Sequence, residues 1–125
     1  MKYVLFIALG GATGAVSRYL LATWLHSLWE GRFPIGTLAV NVLGSFTIGV
    51  VYVLLVEKQF MHANWQGVLM VGFLGAFTTF STFSLETITL FEGGHLAQAA
   101  GYMIGSAVIC VVMAGLAIQL TRAFV

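Results

Sequence analysis

The groups in this chain that can act inside a membrane are hydroxyls, one amide and a row of phenyl rings, and they cluster. From Gly72 the sequence runs Gly-Phe-Leu-Gly-Ala-Phe-Thr-Thr-Phe-Ser-Thr-Phe-Ser-Leu-Glu-Thr to Thr87. Phe77, Phe80 and Phe83 recur at every third position, with Thr78, Thr79, Ser81, Thr82 and Ser84 between them. Thr37, Asn41, Ser45 and Tyr52 fall near multiples of four and form one polar stripe on a helix face; Tyr102, Ser106 and Cys110 form another. Nearly all are N–H or O–H donors, and a phenyl ring adds a positive edge. Such a lining, with few carboxylates, suits a small, strongly hydrated anion that must shed its water. A cation path would instead show acidic rings or inward carbonyls.

Catalytic readings do not assemble. His26, His62 and His95 lie in or beside loops, without cysteine or carboxylate partners at metal-ligand spacing, and no serine sits in a Gly-x-Ser-x-Gly turn. The chain is therefore not expected to be an enzyme. Several polar residues carry two readings. Asn41 either bonds a neighbouring helix or turns its N–H donors to an anion. Arg18, about 15 residues into the first span, either snorkels or pairs with Glu86, or else draws an anion toward the membrane. Glu86, toward the end of the third span, is expected to be an ion pair or cap rather than a proton-coupled site.

Composition dictates what positions these groups. Of 125 residues 60% are hydrophobic and 7% charged, against about a quarter charged in a soluble domain. With roughly 20 residues per spanning helix, the chain is expected to be an all-α integral membrane protein, a single four-helix domain with no room for an extramembrane one. The spans are expected at about 3–28, 35–56, 65–91 and 96–121. The third is expected to be broken in mid-membrane, since hydroxyls and β-branched threonines follow Gly72 and Gly75; such a break is tolerated where its freed backbone groups are buried in protein or line a cavity. The apolar pattern continues past Arg18, so the opening residues are read as a retained first helix rather than a cleaved signal peptide. Gly10 and Gly14, and again Gly101 and Gly105, are spaced for close helix packing. Pro34, the only proline, is placed to start the second helix.

The net charge of +1 is scattered over Lys2, Arg18, Arg32, Lys58 and Arg122, which sets nucleic acid aside. Lys2, Lys58 and Arg122 on one side oppose Arg32 on the other, a lean toward cytoplasmic termini and also the slight bias that insertion in both orientations needs. Cys110 stands alone, so no disulfide within the chain is available.

Three stretches carry a resemblance over nearly the whole chain: Gly11-Ala-Thr-Gly-Ala-Val-Ser-Arg-Tyr19, Gly36-Thr-Leu-Ala-Val-Asn-Val-Leu-Gly-Ser45 and Gly72 to Ser84. Together they resemble the small bacterial fluoride channels, the Fluc-type, CrcB-like family. The resemblance implies an antiparallel, dual-topology homodimer in the bacterial inner membrane, with two fluoride pathways and passive export that confers fluoride resistance. By it, Phe80 and Phe83 face fluoride with their edges, Asn41 is the pore amide, and Ser81 and Thr82 are neighbouring hydroxyls. Tyr102 and Ser106 belong to a polar track, with Thr37 among the donors and Arg18 the cationic residue of the first helix. The break holds a structural sodium ion at the dimer axis on the backbone carbonyls of Gly75 and Thr78. Cys110 departs from the expected hydroxyl. The competing class, a proton-coupled small multidrug exporter, needs a glutamate deep in the first helix, where this chain has Arg18.

Overall fold

The computed structural model describes residues 1–125 and is helical throughout, with no strand. Four segments are long and apolar enough to cross a membrane: Lys2–Leu28, Ile35–Glu57, Gln66–Glu92 and Leu96–Phe124. Within them the elements are α1 (Lys2–Leu28), α2 (Ile35–Val51), a wide π-helical turn π1 (Tyr52–Glu57), a second π-helical stretch π2 (Gln66–Leu74), α3 (Gly75–Phe77), α4 (Ser81–Glu92) and α5 (Leu96–Phe124). Four passes bring both ends to one side. There Arg122 of α5 grips Glu57 at the end of π1 through both carboxylate oxygens, the only ion pair in the chain. At the opposite side Arg32 reaches the His95 Nε2 at 2.6 Å and ties the first loop to the turn before α5.

Only 19 residues are buried, so much of the apolar surface faces outward; Leu9, Leu20, Leu85 and Val111 are all more than half exposed. In water this would be untenable, and the surface is suited to lipid or to a second protein. The interior is thin and built on close backbone approach. A Cβ on Gly10 would lie 2.2 Å from the Val68 carbonyl oxygen, and one on Gly14 2.2 Å from that of Phe73. Since lipid supplies no hydrophobic drive between helices, this backbone contact is what holds α1 to π2. On the other side α2 packs along α5, burying Val40 and Tyr102 completely.

The third span is where regular structure fails. After α3 the backbone at Thr78 turns extended, with φ −83° and ψ 156°, and helix resumes only at Ser81. β-Branched Thr78 and Thr79 favour that extended state over continued helix. The interruption lies between two halves of one apolar span, as the glycine and hydroxyl content of the segment predicts.

Candidate functional site

The groups freed by the break define the site. Thr78 N–H still closes onto the Leu74 carbonyl at 3.1 Å, but the next groups have no helical partner. Asn41 supplies one. Its carboxamide oxygen accepts the Thr79 N–H at 2.8 Å, and its Nδ2 donates to the Thr79 carbonyl at 3.0 Å. This is a two-point clamp from α2 onto the break. An amide has two N–H donors, so one remains after the clamp is made. Asn41 therefore joins helices, as one of its two sequence readings has it, and one N–H is left over.

Arg18 makes a second repair. Its Nε donates to the Ala76 carbonyl at 3.0 Å, satisfying an acceptor at the end of α3. It forms no ion pair with Glu86. Thr79 completes the crossing, because its Oγ1 accepts the Thr82 N–H at 3.3 Å at the start of α4. Thr79 thus holds both ends of the break, a role the sequence does not single out among so many threonines.

By contrast, none of the hydrogen bonds outside the helices ends on the carbonyl of Gly75 or of Thr78. Two orphaned backbone oxygens in a membrane segment need a donor or a cation, and uncharged carbonyl oxygen is a ligand type that alkali ions accept. The residues therefore fit a hard monovalent cation.

Side chains sort into spent and unspent donors. Ser84 and Thr87 bond back to the carbonyls of Phe80 and Phe83 at 2.9 and 2.8 Å, so their hydroxyls are consumed within their own helix. Tyr102 and Ser106 differ. Both are buried, at 0% and 5% exposure, and neither hydroxyl makes a well-formed hydrogen bond, though that of Tyr102 lies beside the Glu86 carboxylate and Thr37. Buried hydroxyls without partners are costly, about 1–3 kcal/mol each, and mark places where a ligand or water is to be received. Thr37 Oγ1 donates to Glu86 Oε1 at 2.5 Å, while Glu86 Oε2 is buried and unpartnered. Glu86 is thus bound to a hydroxyl, and it forms neither the ion pair nor the helix cap expected from its position near the helix end. Thr37 comes with Pro34-initiated α2, whose start places it against α4.

The phenyl rings form a connected row. Phe80 and Phe83 have centroids 5.5 Å apart at 47°, Phe83 and Tyr102 5.0 Å at 55°, and Phe33 meets Tyr102 edge-on at 5.4 Å. Phe83 is packed, whereas Phe80 is 79% exposed and stands out from the subunit.

An open groove of about 470 Å³ runs between α2, the break and α5. It brings together Asn41, Phe80, Phe83 and Ser106, with Gly75 and Thr78 on its wall and Cys110 one turn beyond Ser106. Tyr102 is buried next to this assembly, joined to it through Phe83, while Thr37 is buried and held to Glu86, which does not line the groove. Ser81 and Thr82 start α4 and do not line the groove, and Arg18 reaches the break from the α1 side. Gly44 also borders the groove; its lack of a side chain admits Thr78, whose Cγ2 would sit 2.2 Å from a Cβ there. A glycine three residues after Asn41, and so near it on the helix surface, was the available signal for that contact.

No three of the His, Cys, Asp and Glu side chains converge on a point that could hold a metal. The model of the family described as CrcB-like protein, Camphor Resistance (CrcB), matches residues 5–118. A protein of Hahella chejuensis named fluoride-specific ion channel FluC is 47% identical over 122 residues, covering 98% of this chain and 96% of its own length. Proteins of the same name from Saccharophagus degradans and Magnetococcus marinus are 47% and 44% identical, over 97% and 95% of this chain. These relatives are named as channels, not enzymes. With four spans and a match along almost all of its length, the chain is a multi-pass membrane protein that belongs to the CrcB-like family.

Proposed function

We propose that this protein is a fluoride-selective channel that lets the anion leave the cell passively and electrogenically across the bacterial inner membrane. The observation that carries the reading is the meeting at one groove of Asn41, which keeps one N–H unspent, with Phe80 and Phe83, beside the buried and unpartnered hydroxyl of Ser106. The names of the relatives support the choice of anion.

The energetics explain why so many donors are gathered. A bare ion in an apolar medium costs tens of kcal/mol, whereas one hydrogen bond to a charged group contributes about 1.5–3 kcal/mol net. No single donor offsets dehydration, so several must act on the ion at once or in overlapping steps. Phe80 and Phe83 add positive edges without adding a charge that would trap the ion. Fluoride enters acidified surroundings as hydrofluoric acid and is held inside as the anion; a passive path for the anion alone is enough to release it.

The working unit is an antiparallel homodimer inserted in both orientations. The exposure of Phe80 and the openness of the groove support it, because a second copy covers both and doubles the pathways. Gly75 and Thr78 carbonyls from both copies would hold a sodium ion at the contact, supplying positive charge to bind two breaks together. Their orphaned state supports that assignment. Arg18, Thr37, Ser81 and Thr82 complete the proposed path at its margins.

The test is efflux from liposomes loaded with potassium fluoride. When valinomycin allows potassium to leave, fluoride should follow and chloride should stay. Asn41→Asp, which places a carboxylate where a donor stands, should cut fluoride flux at least about 100-fold, of the order expected for losing about 3 kcal/mol of anion stabilisation, while the protein still elutes as one species. Wild-type vesicles that hold their fluoride under valinomycin would sink the reading.

A further inference from the structure

The loop between α1 and α2 has almost no structure of its own. No backbone N–H from Glu30 to Phe33 bonds to another backbone group, so side chains must fasten the loop. Trp29 lies against Gly31, where a Cβ would fall 2.6 Å from its indole Nε1. Phe33 meets Tyr102 edge-on and packs against the buried cluster of Leu90, Ala99 and Tyr102. Arg32 crosses to the far turn, its Nη1 2.6 Å from the His95 Nε2.

His95 is the fixed half of that contact. Its N–H donates to the Leu90 carbonyl at 2.9 Å, its own carbonyl accepts the Ala99 N–H at 2.9 Å, and Gly94, with φ 82°, makes the turn before it. A guanidinium can only donate, so Nε2 must accept and the ring must be neutral, with its proton on Nδ1. A proton added to Nε2 would set two donors and two positive charges against each other.

We propose that Arg32 and His95 form a pH-sensitive latch: with the imidazole neutral the loop holds Phe33 on Tyr102, and protonation of His95 frees Arg32 and lets Phe33 lift away. Histidine is the side chain whose charge ordinarily changes between about pH 5 and 8. The docked loop binds the unprotonated ring, so it is favoured at high pH and lost as pH falls. The other titratable groups at this end are Glu30 of the loop, His26 of α1, and Glu86 and Glu92 of α4; α2 carries none, and π1 has its Glu57 at the opposite face. No carboxylate pairs with Arg32 or His95, since the one ion pair is that of Arg122 with Glu57. Exposed Glu30 and Glu92 are thus left to receive a freed guanidinium. The consequence for flux rests on the channel reading above, because Tyr102 belongs to the ring row that a lifted Phe33 uncovers.

Trp29 is a resident probe of the loop. In a Trp24→Phe, Trp65→Phe protein it is the only indole, and in nanodiscs its quenching by acrylamide is followed from about pH 8 to pH 5. Loss of a charge-assisted bond on an exposed side chain shifts the loop roughly threefold to tenfold toward the lifted state, and the quenching constant should rise roughly twofold. His95→Gln keeps a neutral acceptor at every pH and should hold the high-pH value. Arg32→Met should show the low-pH value throughout, and Arg32→Lys, still a donor, should restore the response. Quenching that ignores pH in the parent protein, or still follows it in His95→Gln, overturns the latch. Fluoride efflux under valinomycin, corrected with protein-free vesicles for leak of hydrofluoric acid, should run roughly threefold faster at the acid end and stay level in His95→Gln. A quenching response beside pH-independent efflux in a conducting protein overturns the control of the path. No efflux at any pH is a failure of the channel reading alone, and quenching then decides the latch.

Discussion

Glycines at four-residue spacing occur in both α1 and α5, and the two rows meet opposite surroundings. On α1 a Cβ at Gly10 or Gly14 would fall 2.2 Å from a carbonyl oxygen of π2. On α5 a Cβ at Gly101, Gly105 or Gly115 would meet nothing within 4 Å. One row is a seam inside the subunit and the other faces outward. The lesson is that small-residue spacing marks a helix face able to approach another backbone closely, without saying whether the partner is in the same chain. For α1 the partner is the half-span that leads into the break, so the seam also sets where Thr78 stands.

The comparison breaks most sharply at Gly14. The obstructing atoms there are the carbonyl oxygen, carbonyl carbon and Cα of Phe73, all backbone. No rotamer change relieves them; α1 and π2 must move apart along their length. Overpacking typically costs 1–3 kcal/mol, and with unyielding atoms Gly14→Ala is expected at or above ~3 kcal/mol. The variant should aggregate or lose its folded elution peak in detergent. A well-folded Gly14→Ala protein with an unchanged thermal transition would mean the two helices do not meet as described.

Gly44 sharpens the comparison with a smaller effect on stability and a larger one on flux. A Cβ there strikes Thr78 Cγ2, a side-chain atom. Thr78 is β-branched, so Cγ2 leaves only by rotation about χ1. That rotation swings Oγ1 away from the Leu74 carbonyl, which it bonds at 3.0 Å. Loss of one such bond costs about 0.5–1.5 kcal/mol, which the fold should survive. Yet the displaced residue belongs to the break and to the groove wall. Gly44→Ala should fold, melt slightly earlier and conduct fluoride at least roughly tenfold more slowly, an effect of about 1.4 kcal/mol on the path. Equal flux in Gly44→Ala and wild type would detach the Thr78 position from conduction.

How far these features are legible in the sequence follows from the range of the forces involved. The four spans and the interruption of the third follow from composition and local chemistry, because lipid demands internally bonded helices and Thr-rich stretches after glycine resist them. Candidate donors stand out for the same reason: hydroxyls and an amide are conspicuous among apolar residues. Which donors are already spent is not legible. Ser84 bonds to Phe80 four residues earlier, while Ser106 bonds to nothing, and both look alike in sequence. Thr79 and Glu86 were hidden for another reason. Their partners, Asn41 and Thr37, are 38 and 49 positions away, and only the packing of α2 across the third span selects them. The π-helical turns have no pattern of their own; they show in the Lys58 N–H bond back to Val53, five residues earlier.

Gly105 carries the smallest expected effect and the most information about what lies outside the subunit. Nothing within the chain obstructs a Cβ at that position, so within one subunit the substitution is free of steric cost. A glycine in mid-helix is also less favourable than alanine by roughly 0.8–1.0 kcal/mol, a difference that a fully bonded helix in lipid reduces but does not reverse. Gly105→Ala is therefore expected to leave the thermal transition of the subunit unchanged or slightly raised, with helical circular dichroism intact. Flux tests the same face, since α5 also carries Ser106 on its buried side and a rotated helix would move that hydroxyl. Unchanged stability and flux would show that the outer row of α5 faces lipid. A loss approaching that of Gly14→Ala would instead require a backbone packed against Gly105 in the membrane, and because this chain has none there, that backbone would belong to another copy.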